Sequence, residues 1–170
     1  MKYNPYIHHR RSIRLKGYDY SQGGAYFVTL CVQNRKCLFG EIINGEMQLH
    51  KRGQIIQKYW MQINKRFPHV KLDHFIVMPN HFHGIIIIND HVTCRGEVTS
   101  PLSSLGNIIA WFKYQSTKHI NNIRQTPGVR LWQRNYFERI IRNEKIYNRI
   151  IKYITNNPIM WDPDKENPMI

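Results

Sequence analysis

Two histidines separated by one residue, His81 and His83, are the clearest candidates for chemistry in this sequence. They open the segment HFHGIIII, whose apolar character predicts a buried β-strand from His81 to Ile88. Side chains alternate along a strand, so both imidazoles point to one face and Phe82 to the other. Such a pair can share one divalent metal ion; the alternative is two hydrogen-bonded histidines without a ligand. The metal is favoured, because imidazoles at the edge of a buried sheet are costly without partners.

A tyrosine and an asparagine near the end of the chain form a second candidate pair. Tyr153 and Asn157 are four residues apart in a segment predicted to form a helix from Glu144 to Asn156. They therefore lie on one helix face, about a turn apart, where a phenol and an amide oxygen could reach one centre. The alternative is that Tyr153 borders the buried face of the helix and Asn157 caps its end before Pro158.

The charge of the chain predicts a polyanionic partner. Its 170 residues include 25 Lys and Arg against 11 Asp and Glu, a formal net charge of +14. Cations follow a phosphate backbone and aromatic rings stack on unpaired bases, which favours nucleic acid over an anionic membrane or a merely solvated basic surface. The predicted DNA-binding residues are Arg10, Arg11, Arg14, Lys113, Lys118, Trp132, Arg134, Arg142, Arg149 and Lys152.

The elements that must position these residues follow from the hydrophobic pattern. Further strands are predicted at 25–32, 71–78 and 136–141, a hairpin at 39–49 around Asn44-Gly45, and helices at 51–67 and 104–120. Without the hairpin the order is β-α-β-β-α-β plus a terminal helix. This order predicts an α+β, ferredoxin-like (split β-α-β) fold, with a four-stranded antiparallel sheet and two helices on one face.

The whole chain is expected to be a single domain, 1–170, with a basic arm over 1–24, a core over 25–158 and a tail over 159–170. Its three cysteines, Cys31, Cys37 and Cys94, form no CxxC pair, which indicates reduced thiols rather than zinc ligands. No apolar stretch is long enough to span a bilayer and no signal peptide is recognised, so we expect a cytoplasmic protein without a membrane partner.

Four motifs, in this order, resemble those of one known family. They are Met78-Pro79-Asn80-His81-Phe82-His83, Leu131-Trp132-Gln133-Arg134, Ile141-Arg142-Asn143 and Tyr153-Ile154-x-x-Asn157-Pro158. Together they are similar to the single-tyrosine transposases with a histidine–hydrophobe–histidine metal site. The REP-associated tyrosine transposases are the branch that the motifs resemble most, over roughly residues 20–160.

This resemblance implies a complete site. His81, His83 and Asn157 would be the ligands of a divalent metal ion, Mg²⁺ or Mn²⁺, with Asn157 at a position where the family often has Gln. Tyr153 would be the nucleophile, ahead of Tyr147 and Tyr136 as rivals. The implied activity is cleavage and rejoining of single-stranded DNA through a covalent 5′-phosphotyrosine, with recognition of hairpin-forming sequences.

Alternatives to this interpretation stay open at this point. A non-catalytic nucleic-acid-binding module of the same fold is the main one. A histidine-based phosphodiesterase ranks lower, because such enzymes usually pair two separate histidine motifs. The oligomeric state is also open, since in related enzymes the tyrosine serves either its own metal site or that of a partner; a monomer and a homodimer are both compatible with the sequence.

Overall fold

A four-stranded antiparallel sheet forms the centre of the structure. The computed structural model describes residues 23–89 and 104–161. The strands lie in the order β4-β5-β1-β6, and each neighbouring pair is antiparallel, which confirms the predicted sheet. The elements in chain order are β1 (Gly24–Cys31), a short 3₁₀ helix (Gln33–Arg35), β2 (Gly40–Ile43), β3 (Glu46–Leu49), α1 (Lys51–Met61), α2 (Ile63–Arg66), β4 (Val70–Val77), β5 (His81–Ile88), α3 (Leu105–Arg124), β6 (Phe137–Ile141) and α4 (Glu144–Asn156).

The two faces of this sheet carry different helices, because side chains alternate along each strand. On β1, Tyr26 and Val28 belong to the large apolar cluster that also contains Trp60 of α1 and Phe112 of α3. Phe27, which lies between them in sequence, belongs to a smaller cluster with α4. Two helices therefore share one face, as predicted, and the C-terminal helix covers the other.

The register of β5 against β1 decides where the histidines point. His81 pairs with Cys31 and His83 pairs with Thr29. Both histidines have the same alternation as Ile85, which is buried in the cluster beneath α4. The strand occupies the predicted bounds, and its two imidazoles lie on the α4 side of the sheet.

The segment between β1 and β4 largely follows the sequence expectation. Asn44 and Gly45 join β2 to β3 with φ angles of 53° and 78°, the left-handed pair of a type I′ hairpin turn. The helix predicted over 51–67 is divided into α1 and α2. At Gln62 the backbone N–H donates to the Tyr59 carbonyl three residues back, at 3.3 Å, so the last turn of α1 is tightened.

Helix α3 extends beyond its predicted end at Ile120 and stops at Arg124. Ser104 caps its start by accepting a hydrogen bond from the backbone N–H of Asn107. Near its end, the side-chain amide of Asn121 donates to the Val129 carbonyl at 2.7 Å. This tertiary contact outweighs the loop tendency of the asparagines there.

Some predictions lie outside the described residues. They concern the basic arm with Arg10, Arg11 and Arg14, the cysteine Cys94, and the tail beyond Trp161. In residues 23–89 and 104–161, no helix combines the length and the apolar character needed to cross a membrane.

Candidate active site

A cavity of about 290 Å³ lies at the end of the sheet where β1 ends and β5 begins. Strand β5 and helix α4, which are far apart in sequence, both contribute to its wall. The cavity brings together all four residues that were predicted as metal ligands or nucleophile. The residues that line it are Thr29, Cys31, Arg35, Asn80, His81, His83, Tyr153, Asn157, Met160 and Trp161.

The His81 imidazole is buried and held by two asparagines. Its Nδ1 lies 2.7 Å from the Oδ1 of Asn80. Because an amide oxygen only accepts, Nδ1 must donate, which leaves the lone pair on Nε2. Burial lowers the pKa of His81 to about 4, while a side-chain hydrogen bond with Asn157 opposes this shift and the charge of Arg35 adds to it. The ring is therefore neutral near pH 7.

The His83 imidazole is more deeply buried and lies between a threonine and the candidate nucleophile. A hydrogen bond of 2.8 Å joins its Nδ1 to the Oγ1 of Thr29, the residue with which it pairs in the sheet. Its Nε2 lies 3.4 Å from the Tyr153 hydroxyl. Burial, reinforced by the neighbouring His81, lowers the pKa of His83 to about 3. This second imidazole is also neutral near pH 7.

Helix α4 sets the position of Tyr153. Asn143 caps the helix by accepting a hydrogen bond from the backbone N–H of Ile146 at 2.9 Å. Ile150 and Ile154 are buried against the sheet, which fixes the rotation of the helix. Tyr153 consequently lies at the edge of the buried face, with about half of its surface exposed (51%). Its hydroxyl faces the cavity, and the rest of the side chain is accessible to solvent.

The two rival tyrosines do not line this cavity. The hydroxyl of Tyr147 donates to the carboxylate of Asp73 on β4. That hydrogen bond raises the pKa of Tyr147, which disfavours the phenolate that a nucleophile needs. Tyr136 packs against the large apolar cluster on the other face of the sheet. Of the three candidates, only Tyr153 lies beside the histidines.

The donor set of the cavity fits a divalent metal ion. His81 and His83 are neutral imidazoles, and the hydrogen bond from Nδ1 to Asn80 places the lone pair of His81 on Nε2, the atom that would bind a cation. Within the described residues, no group of three or more His, Cys, Asp and Glu side chains forms a metal site. The predicted third ligand is the amide oxygen of Asn157, which also lines the cavity and is a donor that suits Mg²⁺ or Mn²⁺. These ligand assignments stay predictions.

Several cavity residues were not identified from the sequence. Thr29 and Asn80 orient the two imidazoles, and Trp161, in the expected tail, has its ring 6.0 Å from that of His81. The principle that metal-binding histidines need a partner for their second nitrogen could have pointed to the neighbouring Asn80. Thr29 and Trp161 gave no such signal, because their proximity depends on strand register and on the turn after α4.

Most of the predicted DNA-binding residues that the structure describes are exposed. Lys113 is the exception among the cations, because its ammonium donates to the backbone carbonyls of Gln133 at 2.6 Å and Arg134 at 3.0 Å, and burial lowers its pKa. The exposed ones are Lys118, Arg134, Arg142, Arg149 and Lys152.

The prediction that Trp132 contacts DNA needs a correction. Only 4% of its surface is exposed. Its indole N–H donates to the hydroxyl of Ser116 at 3.0 Å, and its ring lies 5.2 Å from that of Phe39. Trp132 is thus a core residue, with little of its ring left for a base to stack on.

Comparison with known proteins gives a family and a fold. No protein-family model matches the chain. A Haemophilus influenzae protein, named only as uncharacterized, is 45% identical over an alignment of 177 positions that covers 96% of each chain, so the two proteins belong to one family. Among solved structures, a REP-associated tyrosine transposase bound to a REP hairpin has a TM-score of 0.60 and 21% identity, covering 86% of this chain and 73% of that one.

A second solved structure, provisionally named a transposase, comes from Deinococcus radiodurans. Its TM-score is 0.50 and its identity 15%, with coverage of 85% of this chain and 97% of that one. The chain therefore has the fold of these transposases.

Proposed function

We propose that this protein is a metal-dependent, transposase-like enzyme that cleaves and rejoins single-stranded DNA, with Tyr153 as its nucleophile. The observation that carries the proposal is the 3.4 Å separation between the Tyr153 hydroxyl and the Nε2 of His83, in a cavity that also contains His81 and Asn157. The transposase fold supports it, as does the REP hairpin bound to one solved protein of that fold.

His81, His83 and Asn157 would hold the metal ion, Mg²⁺ or Mn²⁺. When bound, such an ion supplies a Lewis acid that polarises an oxygen of the phosphodiester. Thr29 and Asn80 hold the imidazoles in place through their Nδ1 atoms. Burial keeps both rings neutral, so no proton competes for their lone pairs near pH 7.

The covalent step belongs to Tyr153. Its phenolic oxygen forms a bond to phosphorus while the bond from phosphorus to the 3′ oxygen of the preceding nucleotide breaks. The phenolic proton ends, in the overall balance, on the released 3′-hydroxyl. The 5′-phosphotyrosine retains the phosphodiester energy, so attack by another 3′-hydroxyl rejoins the strand without an external energy source.

A basic stripe on the outer face of α4 gives the DNA a path to Tyr153. Lys145, Arg149 and Lys152 are all exposed and recur at spacings of four and three residues, so they share one helix face. Tyr153 lies between this stripe and the buried face of the helix. A strand whose phosphates follow the stripe therefore passes the nucleophile.

A second surface suits an unpaired base. Tyr114 of α3 is 61% exposed, and the ammonium of Lys118 lies 5.9 Å from the centre of its ring. An exposed aromatic ring beside a cation can stack on a base while the cation contacts the adjacent phosphate. We include this pair, in place of Trp132, in the proposed DNA surface.

One copy of the chain could supply every residue of the proposed site. The tyrosine of α4 lies beside the histidines of its own β5, and Ile150 and Ile154 bury α4 against its own sheet. This arrangement supports action in cis by a monomer rather than exchange of tyrosines between two copies.

The direct test uses Mn²⁺ and end-labelled hairpin DNA with single-stranded flanks. We expect wild-type protein to form an adduct with DNA that resists boiling in detergent. Tyr153→Phe should abolish the adduct and leave DNA binding intact, whereas the matched control Tyr147→Phe should still form it. Binding without any adduct, across varied hairpins, would favour the non-catalytic binding module instead.

A further inference from the structure

A tight turn after β1 carries an arginine into the candidate active site. Arg35 ends the 3₁₀ helix and is the only Lys or Arg among the described residues that line the cavity. Asn34 and Arg35 both have left-handed backbones, with φ angles of 58° and 49°. Two successive non-glycine residues in this conformation are unfavourable for the free backbone, so the surrounding structure must hold them there.

Several hydrogen bonds hold this turn. The backbone N–H of Val32 donates to the Asn80 carbonyl at 2.9 Å, and that of Gln33 donates to the Leu131 carbonyl at 2.7 Å. Arg35 closes the turn by donating its own backbone N–H to the Val32 carbonyl at 3.0 Å. The base of the turn is therefore attached to the residue just before His81 and to the segment before β6.

The side chain of Arg35 is available for a ligand. Within the described part of the chain, no salt bridge engages Arg35 and no carboxylate lines the cavity. Its charge is nevertheless felt at the site, because it contributes to the lowered pKa of His81. A guanidinium in the wall of a cavity that no carboxylate lines attracts an anion.

We infer that Arg35 binds the scissile phosphodiester of single-stranded DNA in the cavity that His81, His83 and Tyr153 line. The inference rests on the proposed function and adds a phosphate-binding residue to it. The planar guanidinium matches two phosphate oxygens, and its charge would oppose the negative charge that gathers on those oxygens while Tyr153 attacks. The strained turn is then the means of aiming this side chain.

Four variants test the role of Arg35 in the reaction. Arg35→Ala should slow adduct formation in a single turnover by about 10²-fold. Arg35→Lys should recover only part of the rate, because an ammonium lacks the two-pronged geometry of the guanidinium. Lys36→Ala removes an equal charge from the adjacent exposed residue, which does not line the cavity, and should stay within a few-fold of wild type. Equal rates for Arg35→Ala and wild type would overturn the inference.

The fourth variant distinguishes a role of the Arg35 side chain in phosphate binding from a role in folding. Glycine adopts a φ near 49° without steric cost, so Arg35→Gly should have a Tm at or above that of Arg35→Ala. Its adduct formation should be as slow as that of Arg35→Ala. A loss of rate that simply follows a loss of Tm across these variants would contradict a role in phosphate binding.

A last measurement is independent of catalysis and of metal. Wild-type protein in EDTA is treated with phenylglyoxal, with and without a single-stranded oligonucleotide, and modified arginines are mapped by mass spectrometry. We expect DNA to protect Arg35 far more than the exposed Arg66 of α2. Equal modification of Arg35 with and without DNA would overturn the inference even if wild type forms the adduct. If wild type forms no adduct, the proposed function fails, and protection alone decides whether Arg35 binds phosphate.

Discussion

The two faces of the central sheet differ in the residues that cover them and in the expected effect of substitutions there. The face beneath α1 and α3 is covered by a continuous apolar cluster that includes Trp60, Phe82 and Phe112. The face beneath α4 has a smaller buried cluster, which includes Ile85 of β5. His81 and His83 lie on the same face, at the start of this strand. The side chains on one face of β5 thus belong to the core, and those on the other face include the two histidines of the proposed site. We expect substitutions on the two faces to fail in different ways.

The largest expected effect comes from two adjacent residues of β5. Any side chain at Gly84 would lie 2.4 Å from the fully buried indole of Trp60, which has no room to move, so Gly84→Val should destabilise the protein by about 3–5 kcal/mol or prevent folding. His83→Ala should instead abolish the DNA adduct and change the free energy of unfolding by no more than about 2 kcal/mol. Urea denaturation and the adduct assay measure the two effects.

Within this pair, each residue is the control for the other. A folded, active Gly84→Val would show that the face beneath α1 and α3 is not tightly packed. A His83→Ala variant that unfolds as readily as Gly84→Val would show that the α4 face is also part of the supporting core. Either result would contradict the expectation that one face mainly stabilises the fold and the other mainly carries the proposed site.

A smaller effect is expected from acidification of the metal-free protein. The pKa values of His81 and His83 are about 4 and about 3 in the folded state, below the ordinary 6.5. The unfolded chain therefore binds more protons, and stability falls as the pH drops from about 6.5 through these lowered values. Since one pKa unit corresponds to about 1.4 kcal/mol, the loss should be on the order of a few kcal/mol per histidine.

This pH dependence is measured by urea denaturation in EDTA between pH 7 and pH 3. His83→Gln removes one of the two titrating groups, so its stability should fall less steeply than that of wild type. Identical slopes for the two proteins would mean that the His83 imidazole is not held neutral by burial. The difference between the two proteins concerns the α4 face, because His83 lies there, whereas the other titrating groups are common to both.

The smallest expected effect concerns the attachment of α4 to the sheet. Tyr147→Phe removes the hydrogen bond to Asp73 and should cost about 0.5–1 kcal/mol, because the pair is only partly buried. Adduct formation should stay within a few-fold of wild type, since Ile150 and Ile154 still hold the helix. A complete loss of the adduct in this variant would indicate that Tyr147 takes part in the reaction.

The sequence predicted elements best where local signals were strong. The apolar run predicted the bounds of β5, and the helix predicted from Glu144 to Asn156 is α4. The end of α3 was missed, because the hydrogen bond from Asn121 to the Val129 carbonyl is a tertiary contact. Trp132 was assigned to the surface because polar and basic residues follow it, and its buried partner Ser116 lies on a different element.

The histidines, the tyrosine and the asparagine of the candidate site were predicted from the sequence, but several other residues that line the cavity were not. His81 and His83 followed from strand alternation, whereas Tyr153 and Asn157 depended on the family resemblance. Residues that orient or extend the site, such as Thr29, Arg35 and Trp161, come from other elements and meet only through strand register and turns. Such proximity has no periodic signature in the sequence.

The central claim is that the hydroxyl of Tyr153 forms the covalent bond to DNA. The most direct measurement is mass spectrometry of the protease-digested adduct formed by wild-type protein with Mn²⁺ and hairpin DNA. We predict one modified peptide, with a nucleotide joined through its 5′ phosphate to Tyr153. A nucleotide on Tyr147 or on any other residue, or DNA binding with no modified peptide, would contradict it.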